Sequence, residues 1–245
     1  MSEPAMRIAM WSGPRNISTA MMRAFGQRTD TAVVDEPFYA AFLAVSSEPH
    51  PMRAEVMASQ PNDWRDVVRQ LLGPVPDAKP IYYQKLMTHH MLAGFGREWM
   101  SEVRNAFLIR DPEAVLASYV RARGVATLAD IGIVQQRELF EREADRLGVA
   151  PPVIEGRDVL ERPGHMLALL CDAIGIPYTD AMLKWPAGPR ATDGVWAPAW
   201  YDSVERSTGF GAPPPPAATP LPDPLRRVAD QAQPHYLALA THRLR

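Results

Sequence analysis

The sequence predicts an α/β protein, a three-layer fold in which a parallel sheet carries helices on both faces. Three observations lead there. Short, β-rich apolar runs recur along the chain, and helical patterns lie between them. The chain of 245 residues is also long enough for one sizeable core and short for two full domains. The expectation is one domain over residues 1–245, with a long loop at 185–224 and a C-terminal helix at 225–245.

Taken in order, the strands are Arg7–Trp11, Thr31–Asp35, Pro80–Lys85, Asn105–Ile109 and Pro152–Glu155. The helices follow from periodicity and end signals. "NDWRDVVRQLLG" offers an Asn or Asp cap, apolar spacing and a Gly stop. "RDPEAVLASYVRARG" opens with Asp111 at the N-cap and Pro112 at the first helical position, and Gly124 closes it. "TLADIGIVQQRELFEREADRLG" reads as one longer helix ending at Gly148. In "PGHMLALLCDAIG", Leu167, Leu170, Cys171 and Ile174 repeat as a core-facing stripe, which makes Cys171 a small buried residue rather than a nucleophile. The prolines gather in the segment from Trp185 to Pro224. Its aromatic residues Trp196, Trp200, Tyr201 and Phe210 predict packing, and its "PPPPAATP" predicts an extended connector.

Composition excludes several classes of function. A hydrophobic fraction of 47% and a charged fraction of 22% are ordinary for a globular chain. A net charge of −2 argues against nucleic-acid binding through bulk positive charge. One cysteine permits neither an internal disulfide nor a cysteine-rich zinc site. His50, His165, His235 and His242 are scattered without ligand spacing, so no metal is expected. The segment "MSEPAMRIAM" lacks an apolar run of signal-peptide length, and no run approaches the roughly 18 residues of a membrane span. The expected location is the cytoplasm.

The chemistry begins in "RIAMWSGPRNISTAMMRAF", a strand, a tight turn and a helix entrance. The turn holds Arg15, Ser18 and Thr19 where backbone N–H groups and the helix dipole favour an anion. A nucleotide triphosphatase would have Gly-Lys where this chain has Ser18 and Thr19. The cationic role passes to Arg15, whose planar fork suits a phosphate. The strand "TAVVDEPFY" ends in two carboxylates, Asp35 and Glu36, and as a pattern it also looks like a Walker B strand.

With these residues assembled, "SGPRNISTAMMRAF" resembles the 5′-phosphosulfate loop of sulfotransferases that use 3′-phosphoadenylyl sulfate. "FLIRDPEAVLASYVR" is similar to their 3′-phosphate element, with Arg110 ending a strand and Ser118 eight residues later. "PPVIEGRDVLERPGHMLALLCDAIGI" is more loosely similar to the strand and helix that follow. The resemblance implies a sulfotransferase-type fold with a P-loop-like sheet. It implies donor contacts from Arg15, Asn16, Ile17, Ser18, Thr19, Arg110 and Ser118, without metal. The implied reaction is sulfuryl transfer to a hydroxyl or amine of a small-molecule acceptor.

Two groups compete for the acceptor proton. Glu36 matches a Glu-Pro that follows this strand in bacterial and heparan-type relatives, where that Glu is the base. His89, on the turn after Lys85, is the alternative, with His90 behind it; Lys85 is a candidate to assist the leaving group. Asp35 is expected to bond to Arg15 or to a backbone N–H. The chain departs from the resemblance at Asn16 and Ile17, which replace Ser-Gly, and at Ala20 and Met21, where the cytosolic branch has a Trp for adenine. That branch's late Arg-Lys-Gly loop is absent, leaving Arg190 or Arg206 as substitutes. The "DGVWAPAWYDSVERSTGF" stretch is expected over the nucleotide or in the acceptor pocket. A P-loop kinase of unusual sequence and a non-catalytic nucleotide-binding protein of the same fold stand as alternatives.

Overall fold

The computed structural model describes residues 5–46, 50–123, 126–215 and 220–245, with the side chains of 120–123 excepted. The Gly124 helix stop and the centre of "PPPPAATP" lie outside the described residues. The strands are β1 (Met6–Ser12), β2 (Thr31–Asp35), β3 (Ile81–Met87), β4 (Arg104–Ile109) and β5 (Val153–Glu155). They form one parallel sheet in the order β2-β3-β1-β4-β5. The expected α/β architecture is the one observed. Strand β3 runs two residues past Lys85, because Leu86 and Met87 pair with Trp11 and Ser12 of β1.

Alternation along the strands fills both layers. On one face Ile8, Met10, Ala106 and Leu108 pack with Met21 and Phe25 of α1 (Ser18–Phe25) and Leu170 of α9 (Pro163–Ile174). On the other, Ala9, Trp11, Phe107 and Ile109 meet α4 (Trp64–Leu72), α5 (Pro112–Arg123), α7 (Ile133–Leu147) and α12 (Asp223–Ala240). The α9 stripe of Leu167, Leu170, Cys171 and Ile174 is buried, and burial pushes the Cys171 thiol up to about 11. Asp63 caps α4, and the Asp111 carboxylate accepts the Ala114 N–H at the start of α5.

One helix expectation needs correction. The stretch 127–148 is two helices, α6 (Leu128–Ile131) and α7, broken at Gly132 with φ of 64°. The break has a packing reason. A Cβ at Gly132 would lie 2.6 Å from Thr88 Oγ1 and 2.8 Å from the His89 nitrogen. The turn also meets the loop after β1, where a Cβ on Gly13 would lie 2.7 Å from the Ile131 carbonyl. The sequence reading also passed over α2 (Tyr39–Val45) and α3 (Arg53–Ser59). Helix α8 (Gly156–Glu161) directly follows β5. The 185–224 segment contains two short helices, α10 (Ala197–Trp200) and α11 (Asp202–Glu205), with Trp196 and Tyr201 buried against Tyr39 and Leu43. Helix α12 begins at Asp223 and ends at Ala240, inside the expected 225–245 at its far end.

Candidate active site

The chain leaves β1 toward β2 on one side and later crosses from β3 to β4 on the other. The carboxyl ends of β1 and β4 therefore flank the switch point where open parallel sheets bind ligands. A cavity of about 390 Å³ opens there. Its walls include Arg15, Asn16, Ile17, Ser18, Thr19, Glu36, Lys85, His89, Arg110 and Ser118, the seven expected donor contacts with the candidates Glu36, His89 and Lys85.

The loop after β1 bends sharply. Arg15 (φ 57°) and Ile17 (φ 39°) are both left-handed, a costly conformation for a β-branched residue. Left-handed residues in such a turn aim backbone N–H groups into a concavity that favours anions. Ser18 and Thr19 follow as the first residues of α1. Arg15 Nε donates to Ser118 Oγ at 3.2 Å, and Arg110 donates to the Arg15 carbonyl. These bonds join the loop after β1 to the junction of β4 and α5, across 103 and 95 positions of sequence. Asn16 turns inward instead: its amide donates to the Leu108 carbonyl at 2.8 Å, and its Oδ1 sits where a Cβ on Gly156 would come within 2.5 Å. Its side chain holds the loop to the ends of β4 and β5.

The ends of β2 and β3 carry an ion cluster. Lys85 Nζ lies 2.8 Å from Asp35 Oδ1 and 2.6 Å from Glu36 Oε1. Asp35 also accepts the Tyr201 hydroxyl and the Gly194 N–H, so its expected backbone partner is present while Lys85 and Tyr201 stand where Arg15 was the alternative. Burial opposes the Lys85 charge, but the Asp35 and Glu36 carboxylates outweigh it and hold the ammonium well above its usual range. Burial raises the Glu36 carboxyl, with Lys85 working against the rise. Glu36 is itself left-handed, at φ 39°.

The two neighbouring histidines differ. His90 is fully buried, stacked on Tyr39 and Phe42 with centroids 4.6 and 4.9 Å away. Burial, with His89, His50 and Lys85 nearby, pushes it well below the usual imidazole range. His89 stands beside it on the same turn, with Phe42 edge-on at 5.8 Å. Tyr39 Oη meets His50 Nδ1 at 2.5 Å, and both line the cavity. Arg190 bonds to the Pro186 and Pro189 carbonyls and Arg206 to Asp202, and neither lines the cavity.

Sequence reasoning missed Tyr39, His50 and Trp200 as wall residues, and Tyr201 as a partner of the ion cluster. For Trp200 and Tyr201 the aromatic richness of the 185–210 stretch was the available signal; it named both as packing residues without giving either a place in the site. Among the described residues no cluster of His, Cys, Asp and Glu has metal-binding geometry, and no helix is long and apolar enough to cross a membrane.

The comparisons agree with this geometry. The sulfotransferase domain model matches residues 6–243. Two solved structures share the fold at low identity. A sulfotransferase domain from the curacin biosynthetic pathway covers 95% of this chain and 99% of that one, with TM-score 0.52 and 14% identity. A sulfotransferase from Alicyclobacillus acidocaldarius covers 100% and 98%, with TM-score 0.52 and 12% identity. Two Arabidopsis thaliana proteins, branched-chain-amino-acid aminotransferase-like proteins 1 and 2, are 38% and 34% identical over 87% and 96% of this chain. The alignments take in 38% and 41% of those proteins, so the chain spans about two fifths of the length of these curated relatives. A match over nearly the whole chain, on a parallel sheet whose switch point gathers the expected residues, makes this chain a member of the sulfotransferase domain family.

Proposed function

We propose that the chain transfers a sulfuryl group from 3′-phosphoadenylyl sulfate to a hydroxyl or amine of a small-molecule acceptor. The observation that carries this reading is the Arg15–Ser118 bond, which unites the phosphosulfate-type loop and the 3′-phosphate-type element in one cavity. A 3′,5′-diphosphorylated nucleotide needs two anion clamps, and the β1 and β4 ends supply one each. Arg110 and Ser118 hold the 3′-phosphate. Arg15, the loop N–H groups, Ser18 and Thr19 hold the 5′ end. Leu160 and Phe210 line the same cavity and offer apolar surface for the adenine.

Glu36 takes the acceptor proton as the acceptor oxygen or nitrogen bonds to sulfur. The bond from sulfur to the 5′-phosphate oxygen breaks, and Arg15 with the loop amides holds the charge that collects on that oxygen. Lys85 is engaged by two carboxylates at the strand ends, so its role is to hold Glu36 rather than to reach the leaving group. The same engagement of Asp35 counts against a kinase, which needs that carboxylate for magnesium.

Thermal-shift and calorimetric titrations test the reading. Adenosine 3′,5′-bisphosphate is expected to stabilise the protein with EDTA present, whereas ATP with magnesium is not. Arg110→Ala should weaken the bisphosphate by about tenfold or more, since charge-assisted bonds contribute on the order of 1.5–3 kcal/mol. A magnesium requirement would turn the assignment to a kinase, and binding without turnover to a non-catalytic protein.

A further inference from the structure

Tyr201 comes from the junction of α10 and α11, 116 positions from Lys85, yet its hydroxyl lies at the centre of the ion cluster. The hydroxyl donates to Asp35, with the two carboxylate oxygens at 2.7 and 2.9 Å. It receives Lys85 Nζ at 2.7 Å and the Trp196 indole N–H at 3.1 Å. The Lys85 ammonium also stands 5.0 Å from the centroid of the Tyr201 ring. Three donors therefore converge on Asp35: Lys85, Tyr201 and the Gly194 N–H. Of these three, Lys85 makes the close contact to Glu36, and the Tyr201 hydroxyl also acts on the Glu36 carboxyl and lowers it.

The segment that delivers Tyr201 is clamped along its length. Asp193 makes a buried ion pair with Arg23 of α1 at 2.7 Å. Gly194 bonds to Asp35 and lies so close to the Trp196 ring that a Cβ would fall 2.1 Å from it. Helix α1 is the one that opens at the phosphosulfate-type loop, so the clamp links that loop to the ion cluster.

We propose that Tyr201 is a positioning residue that commits Asp35 to the buried side of the cluster and leaves Glu36 as the carboxylate that serves the acceptor. The proposal rests on the sulfuryl-transfer reading above. Two adjacent carboxylates compete for one ammonium, and a low-dielectric site sharpens that competition. The Tyr201 hydroxyl spreads the Asp35 charge and lets Lys85 remain against Glu36. Without it, Lys85 is drawn to Asp35, and the Glu36 carboxylate loses its counter-charge while facing a stronger negative neighbour.

Glu36 is faced by Lys85 from β3, Asp35 from β2 and Tyr201 from the α10–α11 junction. His89 and His90 line the cavity from the turn after β3, His50 and Tyr39 from the α2–α3 side, and Arg15 and Arg110 from the β1 and β4 ends. Tyr201→Phe keeps the ring and removes only the hydroxyl. Carbon-13 NMR of the Glu36 carboxyl in the full chain reads its titration directly. Hydrolysis of 3′-phosphoadenylyl sulfate, with water as acceptor, reads turnover, and calorimetry with adenosine 3′,5′-bisphosphate reads the donor clamps.

The expected result is an upward move of the Glu36 midpoint, a fall in hydrolysis of about tenfold, and bisphosphate affinity kept within about twofold. An unmoved Glu36 midpoint overturns the proposal, even if the rate falls, because packing alone would then explain the loss. Should Tyr201→Phe fail to fold, Trp196→Phe removes one donor to the same hydroxyl. It is expected to move the midpoint the same way by less, and no movement overturns the proposal. A wild-type chain that turns over no donor, with water or with any hydroxyl or amine acceptor offered, overturns the transfer reading, while the Glu36 titration still decides for or against Tyr201.

Discussion

The half of the cavity around Arg15 and Arg110 comes from two strand–loop–helix junctions, each contained within about ten residues of sequence. The half around Glu36 draws on the ends of β2 and β3, the turn at His89, and a tyrosine from a segment more than 100 positions away. The first half is made by backbone geometry, a left-handed loop feeding a helix N-terminus. The second is made by side chains that neutralise one another in the interior. A local motif can offer backbone amides to an anion unaided. A buried carboxylate kept ready to accept a proton needs neighbours that only the folded chain brings near.

The largest expected effect separates the halves most sharply. Glu36→Gln should lower turnover by about 10²–10⁴, the usual size of a general-base contribution, and leave bisphosphate affinity unchanged. Calorimetry and steady-state rates on the same preparation check both. His89→Ala, run in parallel, should cost far less; the reverse ranking would give the base to histidine.

A second carboxyl tests the half around Arg110. Glu155, at the end of β5, is buried and bonded to the Tyr236 hydroxyl at 2.9 Å. Burial raises it from the ordinary glutamate range to about 7. The folded state therefore holds this proton more tightly than the unfolded chain. Its contribution to stability is fully present below about pH 4.5 and is lost as pH rises through about 7. Glu155→Gln should abolish that loss and gain on the order of 3 kcal/mol at pH 8 relative to its difference at pH 4.5. Urea unfolding at the two pH values measures it. A pH-independent difference would mean the carboxyl is not held in its acid form.

The smallest effect lies at the joint between the halves. Gly132→Ala must hold a left-handed residue and push against Thr88 and His89, so it should destabilise by about 1–2 kcal/mol or more. Because that turn presses on His89 and packs on the loop after β1, the variant should disturb both halves. A loss of stability with normal turnover and normal nucleotide binding would show that the two halves are mechanically separate.

Much was legible in the chain. The strand runs, the Asp63 and Asp111 caps, and the Cys171 stripe are local patterns that sequence expresses directly. So are the loop from Gly13 and the Arg110/Ser118 spacing, because a strand end, a turn and a helix start must be adjacent in sequence. The break at Gly132 was not legible. Its cause is the approach of Thr88 and His89, and the surrounding periodicity continues across it. Nor was the different fate of Asn16, whose amide is spent on the Leu108 carbonyl although the residue lines the cavity.

By itself the sequence determined the layered sheet, the turn between β1 and α1 and the set of ionisable residues at the strand ends, because hydrophobic periodicity and turn chemistry act over a few residues. The tertiary structure alone decided which partner each ionisable group meets: Lys85 between two carboxylates, Asp35 closed off by Tyr201 and Gly194, and His90 a neutral ring in a stack. Those outcomes depend on burial and on distances of a few ångströms between segments far apart in the chain. Electrostatics in a dry interior is set by such distances, which no local pattern encodes.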